Sequence, residues 1–587
     1  MTTDKEISLT IDGVVTKAPA TATIMEAADA INISIPRLCY HPHLSIAGAC
    51  RVCLVEVEGM RNPVASCAYP VAEGMKVRTS STLLRRLRRD VVELILDNHP
   101  QDCQTCDRNG NCELQKLAYE LGIRERYFEG ERKKVEKDLS SPAVIRDPEK
   151  CILCGRCVRV CDEVQGVCNL SQHRRGFHIN VAPAHEGNMM ESVCVQCGQC
   201  ANVCPTAAIL ESNDTDDVFK ALEDPTKHVV VQTAPSIRAA IGEGFGYEPG
   251  TPATGKMVSA LRLMGFDKVF DTNFGADLTI VEEAHEFLRR FEKNEKLPLI
   301  TSCSPGWVKF MEHFYPELIP LASTCRSPMT MLSVLIKTYY AEKAGIDPKN
   351  VYVVGIMPCT AKKFEARRPE HFTPWGVPYT DAVLTTREII WMMKSFGLEF
   401  RHLGDAVFDN PLGLSTGAAD IFGTTGGVME AALRTAYEKL TGQPCEQMDF
   451  TEVRGVEGVK ESKVKIGDKT LSVVVANGLE NAKTVLDKVK SGEKKYHMIE
   501  IMACTGGCIG GGGQPYPPPG MHIMDSKLLR MRAKALYTID HQKQFRKSHE
   551  NPYILKLYER FLGEPNGHKA HELLHTHYEP KLPRGVR

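Results

Sequence analysis

The chain has 587 residues, room for about four domains, and its 43% hydrophobic and 25% charged residues are ordinary for a globular protein. Its formal net charge of -1 excludes a general electrostatic attraction to nucleic acid or to an anionic membrane. No apolar run reaches the roughly 18 residues that a membrane-spanning helix needs.

The 22 cysteines are the main functional signal, because nearly all of them fall into short-spaced groups. The first residues, Met1 to Ile7, do not have the charged and apolar regions of an export signal. We therefore expect a reducing, cytoplasmic setting, in which clustered thiols indicate metal sites more often than disulfides.

Residues 1–80 predict a small iron–sulfur domain. Apolar residues alternate on both sides of Asp12 and Gly13, which is the signal of a β-hairpin. Four cysteines follow at C-x10-C-x2-C-x13-C, a set that suits a [2Fe–2S] cluster or zinc. The segments 37–42 and 48–57 resemble the β-grasp [2Fe–2S] domain of the large iron–sulfur subunit of respiratory complex I and of multicluster hydrogenases, which favours iron. The predicted ligands are Cys39, Cys50, Cys53 and Cys67.

Residues 81–123 predict a small domain with a second cluster, since leucine, valine and isoleucine recur at helical spacing from Leu83 to Ile95. Three cysteines leave a [4Fe–4S] cube one ligand short, and His99 lies four residues before the first of them. The same two families carry a cube with one histidine in this pattern, which implies the ligand set His99, Cys103, Cys106 and Cys112. A charged connector, 124–137, follows.

Residues 141–212 contain the strongest short motif of the chain, C-x2-C-x2-C-x3-C, which occurs twice. This is the pattern of bacterial two-cluster ferredoxins, in which the fourth cysteine of each run binds the other cluster. Zinc or disulfides do not account for a doubled run of this spacing. The predicted ligands are Cys151, Cys154, Cys157 and Cys204 for one [4Fe–4S] cube, and Cys194, Cys197, Cys200 and Cys161 for the other.

From about residue 226 to 520 the sequence alternates apolar strands with amphipathic helices, which predicts a large α/β domain. The strands are expected at Val229, Lys268, Leu299, Val351 and Leu471, with a helix over 279–292. Notable residues follow several of the strands, and ligands of α/β folds bind beyond the carboxyl ends of strands. The predicted fold class is therefore multidomain, with α/β and α+β parts.

Four cysteines of this domain, Cys303, Cys359, Cys504 and Cys508, are too scattered for spacing alone to define one site. Cys504 and Cys508 precede four glycines, where backbone can approach a bound group closely. The segments 301–307, 357–365 and 500–515 resemble the three signature sequences of [FeFe]-hydrogenases. This resemblance implies an H-cluster, which is a [4Fe–4S] cube joined through a cysteine sulfur to a diiron unit with CO, cyanide and a bridging dithiolate.

The resemblance also implies roles for individual residues. Cys359, Cys504 and Cys508 match ligands of the cube, and Cys508 matches the sulfur that bridges to the diiron unit. Lys362 matches the donor to one cyanide. Pro235 and Ser236 match the surroundings of the second cyanide. Met357 and Met502 match soft side chains that pack against the diiron unit. A proton relay is implied for Glu283, Ser323 and Glu365, with Glu286 near the surface. Without the resemblance, Glu282, Glu283 and Glu286 would read as a solvated helix face.

One position departs from the family pattern. The common form of the first signature has two adjacent cysteines, a proton donor and then a cube ligand, whereas this chain has Cys303 and Ser304. Either Cys303 ligates the cube and Ser304 joins the proton route, or Cys303 stays the acid and Ser304 ligates. Because iron–sulfur clusters use soft sulfur ligands, the sequence favours Cys303 as the ligand.

Residues 521–587 resemble the C-terminal helical segment of the hydrogenases, which wraps the catalytic domain. The run His571-Glu-Leu-Leu-His575, with His577 nearby, matches a zinc metalloprotease motif, but such short motifs have many false positives and we reject it. Cys168, Cys325 and Cys445 receive no role.

The predicted reaction is 2H⁺ + 2e⁻ ⇌ H₂, with electrons passing through one [2Fe–2S] and three accessory [4Fe–4S] clusters. The sequence contains no dinucleotide-binding Gly-x-Gly-x-x-Gly between a strand and a helix, so a flavin and NAD(P) would bind to other, diaphorase-type subunits accompanied by a small [2Fe–2S] subunit. Ferredoxin is the alternative electron partner, and maturation factors would supply the diiron unit. The alternatives to a hydrogenase are a complex I-like electron relay and a hydrogen sensor with little turnover.

Overall fold

The computed structural model describes residues 5–125, 128 and 130–582. Parts of the predicted N-terminal domain, of the charged connector and of the C-terminal segment therefore lie outside the described residues. Within them, no helix is both long enough and apolar enough to cross a membrane.

The first module is a five-stranded sheet with the strand order β2-β1-β5-β3-β4 and one helix. The hairpin predicted at Asp12 and Gly13 is confirmed, and both residues have the positive φ angles that its two-residue turn requires. The helix begins with a capping box between Thr23 and Glu26. The elements are β1 (Glu6–Ile11), β2 (Val14–Pro19), α1 (Ile24–Ala30), β3 (Leu54–Val57), β4 (Val64–Ala65) and β5 (Lys76–Arg78).

Two helices, α2 (Thr82–Asp97) and α3 (Glu113–Glu120), form the second module, and the cluster motif connects them. The third module has an internal two-fold repeat. Each cysteine run enters a short helix through a left-handed glycine, Gly155 or Gly198, both with φ 70°. Its elements are β6 (Val144–Arg146), α4 (Arg156–Arg159), β7 (Ser171–His173), β8 (Asn180–Ala182), α5 (Gln199–Val203) and β9 (Ile209–Glu211), and β6 pairs with β9.

The α/β body contains two four-stranded sheets rather than one. The first is fully parallel with the order β11-β10-β13-β14, and the second has the order β12-β17-β16-β15, in which only β15 is antiparallel. All five predicted strands are present. The strands are β10 (His228–Thr233), β11 (Lys268–Asp271), β12 (Leu299–Ile300), β13 (Val351–Ile356), β14 (Ala382–Leu384), β15 (Val459–Ile466), β16 (Lys469–Asn477) and β17 (Met498–Met502).

The helices of the body and of the C-terminal segment surround these sheets. They are α6 (Thr215–Glu223), α7 (Thr254–Leu263), α8 (Thr272–Lys293), α9 (Pro305–Phe314), α10 (Pro328–Leu335), α11 (Ala341–Ala344), α12 (Ala361–Ala366), α13 (Thr386–Ser395), α14 (Gly417–Asp420), α15 (Gly427–Thr441), α16 (Leu479–Lys490), α17 (Ser526–Gln542), α18 (Pro552–Leu557) and α19 (His568–Leu574).

Helix α8 organises the body, because most of its residues are buried and its apolar side chains contribute to two separate cores. Phe274 and Leu278 pack with α10 and α18, whereas Ile280 and Phe287 pack with α15 and the second sheet. The polar residues of α8 are therefore enclosed as well, and burial of a carboxylate requires a partner or a bound proton.

Candidate metal centre

A cavity of about 80 Å³ lies where loops from both sheets meet. Its walls come from the residues that follow β10, β12, β13 and β17, which are the carboxyl ends of parallel strands, together with the starts of α8 and α10. The lining includes Pro235, Thr272, Cys303, Ser304, Met329, Met357, Cys359, Lys362, Phe422, Met502, Cys504 and Cys508.

The structure brings the four scattered cysteines of the body to this one cavity. Cys504 is buried, and the partial exposure of Cys303, Cys359 and Cys508 is to the cavity that they line. Burial raises the pKa of all four thiols, that of Cys508 to about 12. Neutral thiols in such a group stabilise one another little. Thiolates bound to iron have their negative charge balanced by the metal, and iron–sulfur clusters prefer soft sulfur donors. The donor set therefore fits an iron–sulfur cluster.

Cys303 and Ser304 face different neighbours. Burial, followed by the nearby charges of Glu283 and Cys508, raises the pKa of the Cys303 thiol well above its usual value. The Ser304 hydroxyl instead accepts a hydrogen bond from the amide of Ala503, 3.3 Å away and next to Cys504. Cys303 thus lies near both Glu283 of α8 and Cys508, whereas the Ser304 hydroxyl is held beside the loop that carries Cys504.

Lys362 lines the cavity and keeps one donor free for it. Its Nζ lies 2.6 Å from Glu365 Oε2 and donates to the carbonyl of Cys303 at 3.2 Å, which leaves one of the three ammonium protons. Glu365 also accepts hydrogen bonds from Ser327 and Thr330, and no hydrogen bond among the described residues joins it to Glu283 or Ser323. Its position suits the orientation of Lys362 better than the proton relay that the sequence predicted.

Soft side chains complete the wall, and a buried serine directly follows one of the lining residues in sequence, without being part of the lining. Ser236, which follows Pro235, is fully buried, and its hydroxyl has no hydrogen-bond partner among the described residues, as expected of a donor kept for a bound group. Met357 and Met502 line the cavity as predicted. Met329 and Phe422 also line it and were not found in the sequence, because an apolar residue in a buried segment carries no signal that separates cavity lining from core packing.

A line of polar groups runs from Cys303 into α8. Burial raises the pKa of Glu283 to about 8, although a hydrogen bond from Ser323 opposes this. The Ser323 hydroxyl lies 3.4 Å from Glu286 Oε2, and Glu286 Oε1 pairs with Arg290 at 2.6 Å. The interpretation of these glutamates as a solvated face is wrong, and so is the expectation that Glu286 lies near the surface, because it is 1% exposed.

The two ferredoxin-like runs enclose two further small cavities. One is lined by Cys151, Cys154, Cys157 and Cys204, and the other by Cys161, Cys194, Cys197 and Cys200. Each set combines three cysteines of one run with the fourth cysteine of the other run. The structure therefore groups these cysteines as the spacing predicts, with the fourth cysteine of each run placed in the other set.

The second of these cavities is connected to the cavity of Cys303 and Cys508. The side chain of Gln199 donates to the carbonyl of Gly510 at 3.0 Å and also hydrogen-bonds to the Cys504 thiol. Gly512 is required for this contact, because a Cβ on it would lie 2.3 Å from the carbonyl oxygen of Cys197. Thr360 adds a hydrogen bond of 2.8 Å to the carbonyl of Gln196. Short, rigid contacts therefore connect the cube loop to the catalytic loops.

His99 keeps one ring nitrogen without a partner in the described part of the chain. Its Nδ1 lies 2.7 Å from the carbonyl of Pro100, which fixes the proton on that nitrogen. Its Nε2 is buried and has no hydrogen-bond partner among the described residues, so its lone pair is free. Among the three cysteines of this module, Cys106 Sγ accepts from Lys150 Nζ at 3.5 Å, a contact that stabilises a thiolate.

The four cysteines of the first module also converge. Hydrogen bonds from Cys50 and Cys67 lower the pKa of Cys39, and the Sγ atoms of Cys53 and Cys67 are 3.4 Å apart. Three cysteines stay outside these groups. Cys168 is exposed, whereas Cys325 and Cys445 are buried.

Family comparisons cover nearly the whole chain. Residues 227–512 match the C-terminal domain of the iron-only hydrogenase large subunit, and residues 526–581 match the iron hydrogenase small subunit. The N-terminal matches are a 2Fe-2S iron-sulfur cluster binding domain over 4–82, the NADH-ubiquinone oxidoreductase-G iron-sulfur binding region over 88–126, and a 4Fe-4S dicluster domain over 150–208.

Individual relatives are similar over comparable lengths. The NADP-reducing hydrogenase subunit HndD of Solidesulfovibrio fructosivorans is 52% identical over 97% of this chain and 98% of its own length. Iron hydrogenase 1 of Clostridium pasteurianum is 40% identical over 97% of this chain and 100% of its own. Among solved structures, a variant of the apo [FeFe]-hydrogenase HydA1 from Chlamydomonas reinhardtii is 45% identical with a TM-score of 0.55, covering 62% of this chain and 98% of that one. The resemblance stated from the three signature segments is thereby confirmed.

Proposed function

This chain belongs to the iron-only, or [FeFe], hydrogenases, and from that premise we propose how its own residues divide the reaction 2H⁺ + 2e⁻ ⇌ H₂ among them. The observation that supports the proposal is the convergence of three signature loops, at the ends of strands of two sheets, on one thiol-lined cavity. When bound, the H-cluster supplies the iron at which H₂ is formed or split, together with a base in its dithiolate.

Cys359, Cys504 and Cys508 would hold three corners of the cube, and Cys508 matches the sulfur that the family shares with the diiron unit. Ser304 would hold the fourth corner with an oxygen that is a harder donor than the three thiolates, and its position beside Ala503 supports this assignment. Lys362 and Ser236 donate to the two cyanides, because each keeps a donor that the described residues do not use. Pro235, Met357 and Met502 exclude water from the diiron side of the cavity.

Cys303 would hold a proton on the wall of the cavity, and Glu283, which is near it, would exchange that proton. A carboxyl with a pKa of about 8 is mostly protonated at neutral pH and can both donate and accept within the physiological range. Ser323 passes the proton between Glu283 and Glu286, whose carboxylate is fixed by Arg290. Glu365 orients Lys362 and takes no part in this line.

Electrons reach the cavity through the modules that precede the body. We assign one [2Fe–2S] cluster to Cys39, Cys50, Cys53 and Cys67, one [4Fe–4S] cube to His99 and its three cysteines, and two cubes to the ferredoxin-like runs. The free Nε2 of His99 and the two cysteine-lined cavities support these assignments. The cube of Cys161, Cys194, Cys197 and Cys200 is the last donor, since Gln199 connects its loop to Cys504.

We further propose that the chain is the hydrogenase subunit of a cytoplasmic complex that reduces NADP. The similarity to an NADP-reducing hydrogenase subunit over nearly the full length supports this partner class over ferredoxin. Flavin and nucleotide would bind to accompanying diaphorase-type subunits, and maturation factors would insert the diiron unit.

Hydrogen-dependent reduction of a dye by the matured protein tests the enzyme directly. Infrared bands of metal-bound CO and cyanide report whether the diiron unit is in place. Bands together with turnover are the expected result, whereas bands without turnover would support a hydrogen sensor. Co-purification from anaerobic cells tests the complex, and a lone polypeptide would contradict it.

A further inference from the structure

Beyond Glu286, a buried hydrogen-bonded cluster continues where the relay described above ends. We propose that Glu282 and His575 form a proton store, connected to Glu286 through the hydroxyl of Thr324. The proposal rests on the hydrogenase function and adds a site to it. The store is fully enclosed, since His575 is 4% exposed and both glutamates are at most 1% exposed.

The connections are continuous. The Thr324 hydroxyl lies 3.2 Å from Glu286 Oε2 and 2.8 Å from Nδ1 of His575. On the other side of the ring, Nε2 lies 3.0 Å from Glu282 Oε2. Heavy-atom separations of this size allow a proton to move along the line without displacing any residue.

The hydrogen-bond inventory is the basis on which we assign a charge to the ring. The hydroxyl of Tyr558 contacts Glu282 Oε1 and the amide of Asn566 donates to Oε2, so we assign Glu282 as a carboxylate that accepts from Nε2 of His575. Glu286 is held by Arg290 and by the amide of Thr324, so it too is a carboxylate, and it takes the single proton of the Thr324 hydroxyl. That hydroxyl can then only accept from Nδ1.

Both ring nitrogens therefore carry protons, and His575 is an imidazolium between two carboxylates. A proton leaves the store along the assigned hydrogen bonds, each from its donor to its acceptor. The Nδ1 proton passes to the Thr324 oxygen while the hydroxyl proton passes to Glu286 Oε2, which leaves a neutral imidazole and a neutral carboxylic acid. The reverse transfer reloads the store. Each turnover handles two protons, and a side store lets one wait while the relay carries the other.

The groups that face His575 come from several elements. They are Glu282, Glu286 and Arg290 from α8, Cys325 and Arg326 from the segment before α10, Tyr558 from the turn after α18, and His571 from α19. Arg326 donates to the backbone carbonyl of His575 at 3.0 Å. The ring of His571 stacks on the ring of His575, with the two centroids 4.6 Å apart. Glu286, Cys325 and His575 are close enough to hold a metal ion, but the carboxylate oxygens and ring nitrogens already have hydrogen-bond partners.

A second glutamate–threonine–histidine set in the same protein provides an internal comparison. Thr330 bonds to Glu365 at 2.9 Å and to Nδ1 of His371 at 3.3 Å, but Nε2 of His371 has no partner among the described residues. Burial, together with Arg326 and Arg368, lowers the pKa of His371 well below its usual value. The carboxylate beyond the ring, Glu282, is what distinguishes the store, and His371 is expected to be neutral.

The ring charge is tested by NMR of the full-length, cluster-loaded protein labelled with ¹⁵N-histidine. The signal that disappears in His575→Gln identifies His575. We expect imidazolium shifts at both ring nitrogens at neutral pH, and neutral shifts for His371, which His371→Gln identifies. A neutral His575 in the wild type would overturn the store even if the enzyme is fully active.

The coupling is tested by turnover. Thr324→Val removes the hydroxyl at nearly constant volume, and we expect H₂ oxidation and evolution to fall about tenfold, less than the hundredfold or more of losing a direct general acid. Thr324→Ser should retain the wild-type pH profile. Thr279→Val is the matched control, because among the described residues the hydroxyl of Thr279 bonds only to the carbonyl of Gly275 within α8 and to the sulfur of Met331. Wild-type rates in Thr324→Val would refute the connection, and His575→Gln gives the same test if the valine variant does not fold.

These outcomes separate the store from the function on which it rests. A wild-type protein with CO and cyanide bands but no turnover would remove the hydrogenase proposal, while the NMR result would still report the charge of His575. An active enzyme with a neutral His575 would remove only the store.

Discussion

The division of roles between Cys303 and Ser304 is the sharpest question at the scale of single residues. The thiol of Cys303 is near Glu283, and the hydroxyl of Ser304 is beside Ala503. We expect Ser304→Ala to lower the iron content and the signal of the H-cluster cube, and Ser304→Cys to retain both. Cys303→Ala should keep the iron but lower turnover by a hundredfold or more, roughly the value of a general acid. If Cys303→Ala loses the cube instead, the roles are the reverse.

Glu283 gives a second prediction at this scale. Glu283→Gln keeps the shape and the hydrogen bond to Ser323 but cannot exchange a proton, so turnover should fall by about a hundredfold or more. The infrared bands of the diiron unit should not change, because the residue does not line the cavity. Glu292→Gln, at an exposed position of the same helix, is the control. Near-normal turnover in Glu283→Gln would exclude it from the proton route.

His99 can be tested through its cluster alone. With Nδ1 fixed on Pro100, Nε2 is free for iron, so His99→Ala should lose the signal of one cube in electron paramagnetic resonance spectra. His99→Cys should restore that cube at a lower potential, since a thiolate is more electron-donating than an imidazole. His568→Ala, at an exposed position, controls for loss of a histidine. An unchanged spectrum in His99→Ala would show that the three cysteines recruit another ligand.

At the scale of elements, the sequence could predict what depends on local pattern. The strands of the body follow from apolar runs, and the grouping of Cys151 with Cys204 follows from ferredoxin spacing. It could not predict the surroundings of α8. Glu282 and Glu286 recur at the spacing of a solvated face, and their burial depends on Asn566 and His575, which lie almost 300 residues away. The hydroxyl of Tyr558, which bonds to Glu282, is almost as remote in sequence, and Thr324, which bonds to Glu286, lies 38 residues away on another element.

The contact between α5 and the glycine-rich loop is the element-scale prediction. A methyl group on Gly512 would lie 2.3 Å from the carbonyl oxygen of Cys197. That oxygen belongs to the backbone, and so does the carbon that carries the methyl group, so neither can easily move aside. Gly512→Ala should therefore destabilise the protein by about 1–3 kcal/mol and slow electron transfer into the cavity, measured by thermal unfolding and by the rate of cluster reoxidation. Gly404→Ala, where nothing lies within 4 Å of the added Cβ, should change neither. Wild-type stability in Gly512→Ala would mean that the loops separate without cost.

At the scale of the whole molecule, two arginines join the N-terminal modules to one set of cysteines, Cys151, Cys154, Cys157 and Cys204. Arg108, from the His99 module, donates to the carbonyl of Cys204 at 3.2 Å. Nη2 of Arg159 bonds to the carbonyls of Cys39 at 2.6 Å and Cys154 at 3.2 Å, and so bridges a predicted ligand of the first module to one of the ferredoxin-like cube. Both N-terminal modules are therefore connected, through these arginines, to the backbone of Cys154 or Cys204, two members of the set to which we assign one cube, and the spacing of cysteines alone did not indicate this convergence.

Arg159 is therefore where the coupling between modules can be broken without touching a ligand. In Arg159→Gln the side chain is too short to hold both carbonyls, and Arg159→Lys keeps the charge but has no planar fork to bridge them. We expect both variants to retain every cluster signal but to lose the magnetic interaction between the cluster of the first module and the cube. We also expect NADP-linked turnover to fall about tenfold, as for one lost charge-assisted hydrogen bond. Reduction of a dye that takes electrons from the later cubes should be unaffected, as should all properties of Arg85→Gln on the exposed side of α2. Unchanged magnetic interaction in Arg159→Gln would mean that Ser45 and Glu163, which also join the two modules, hold them together without the arginine.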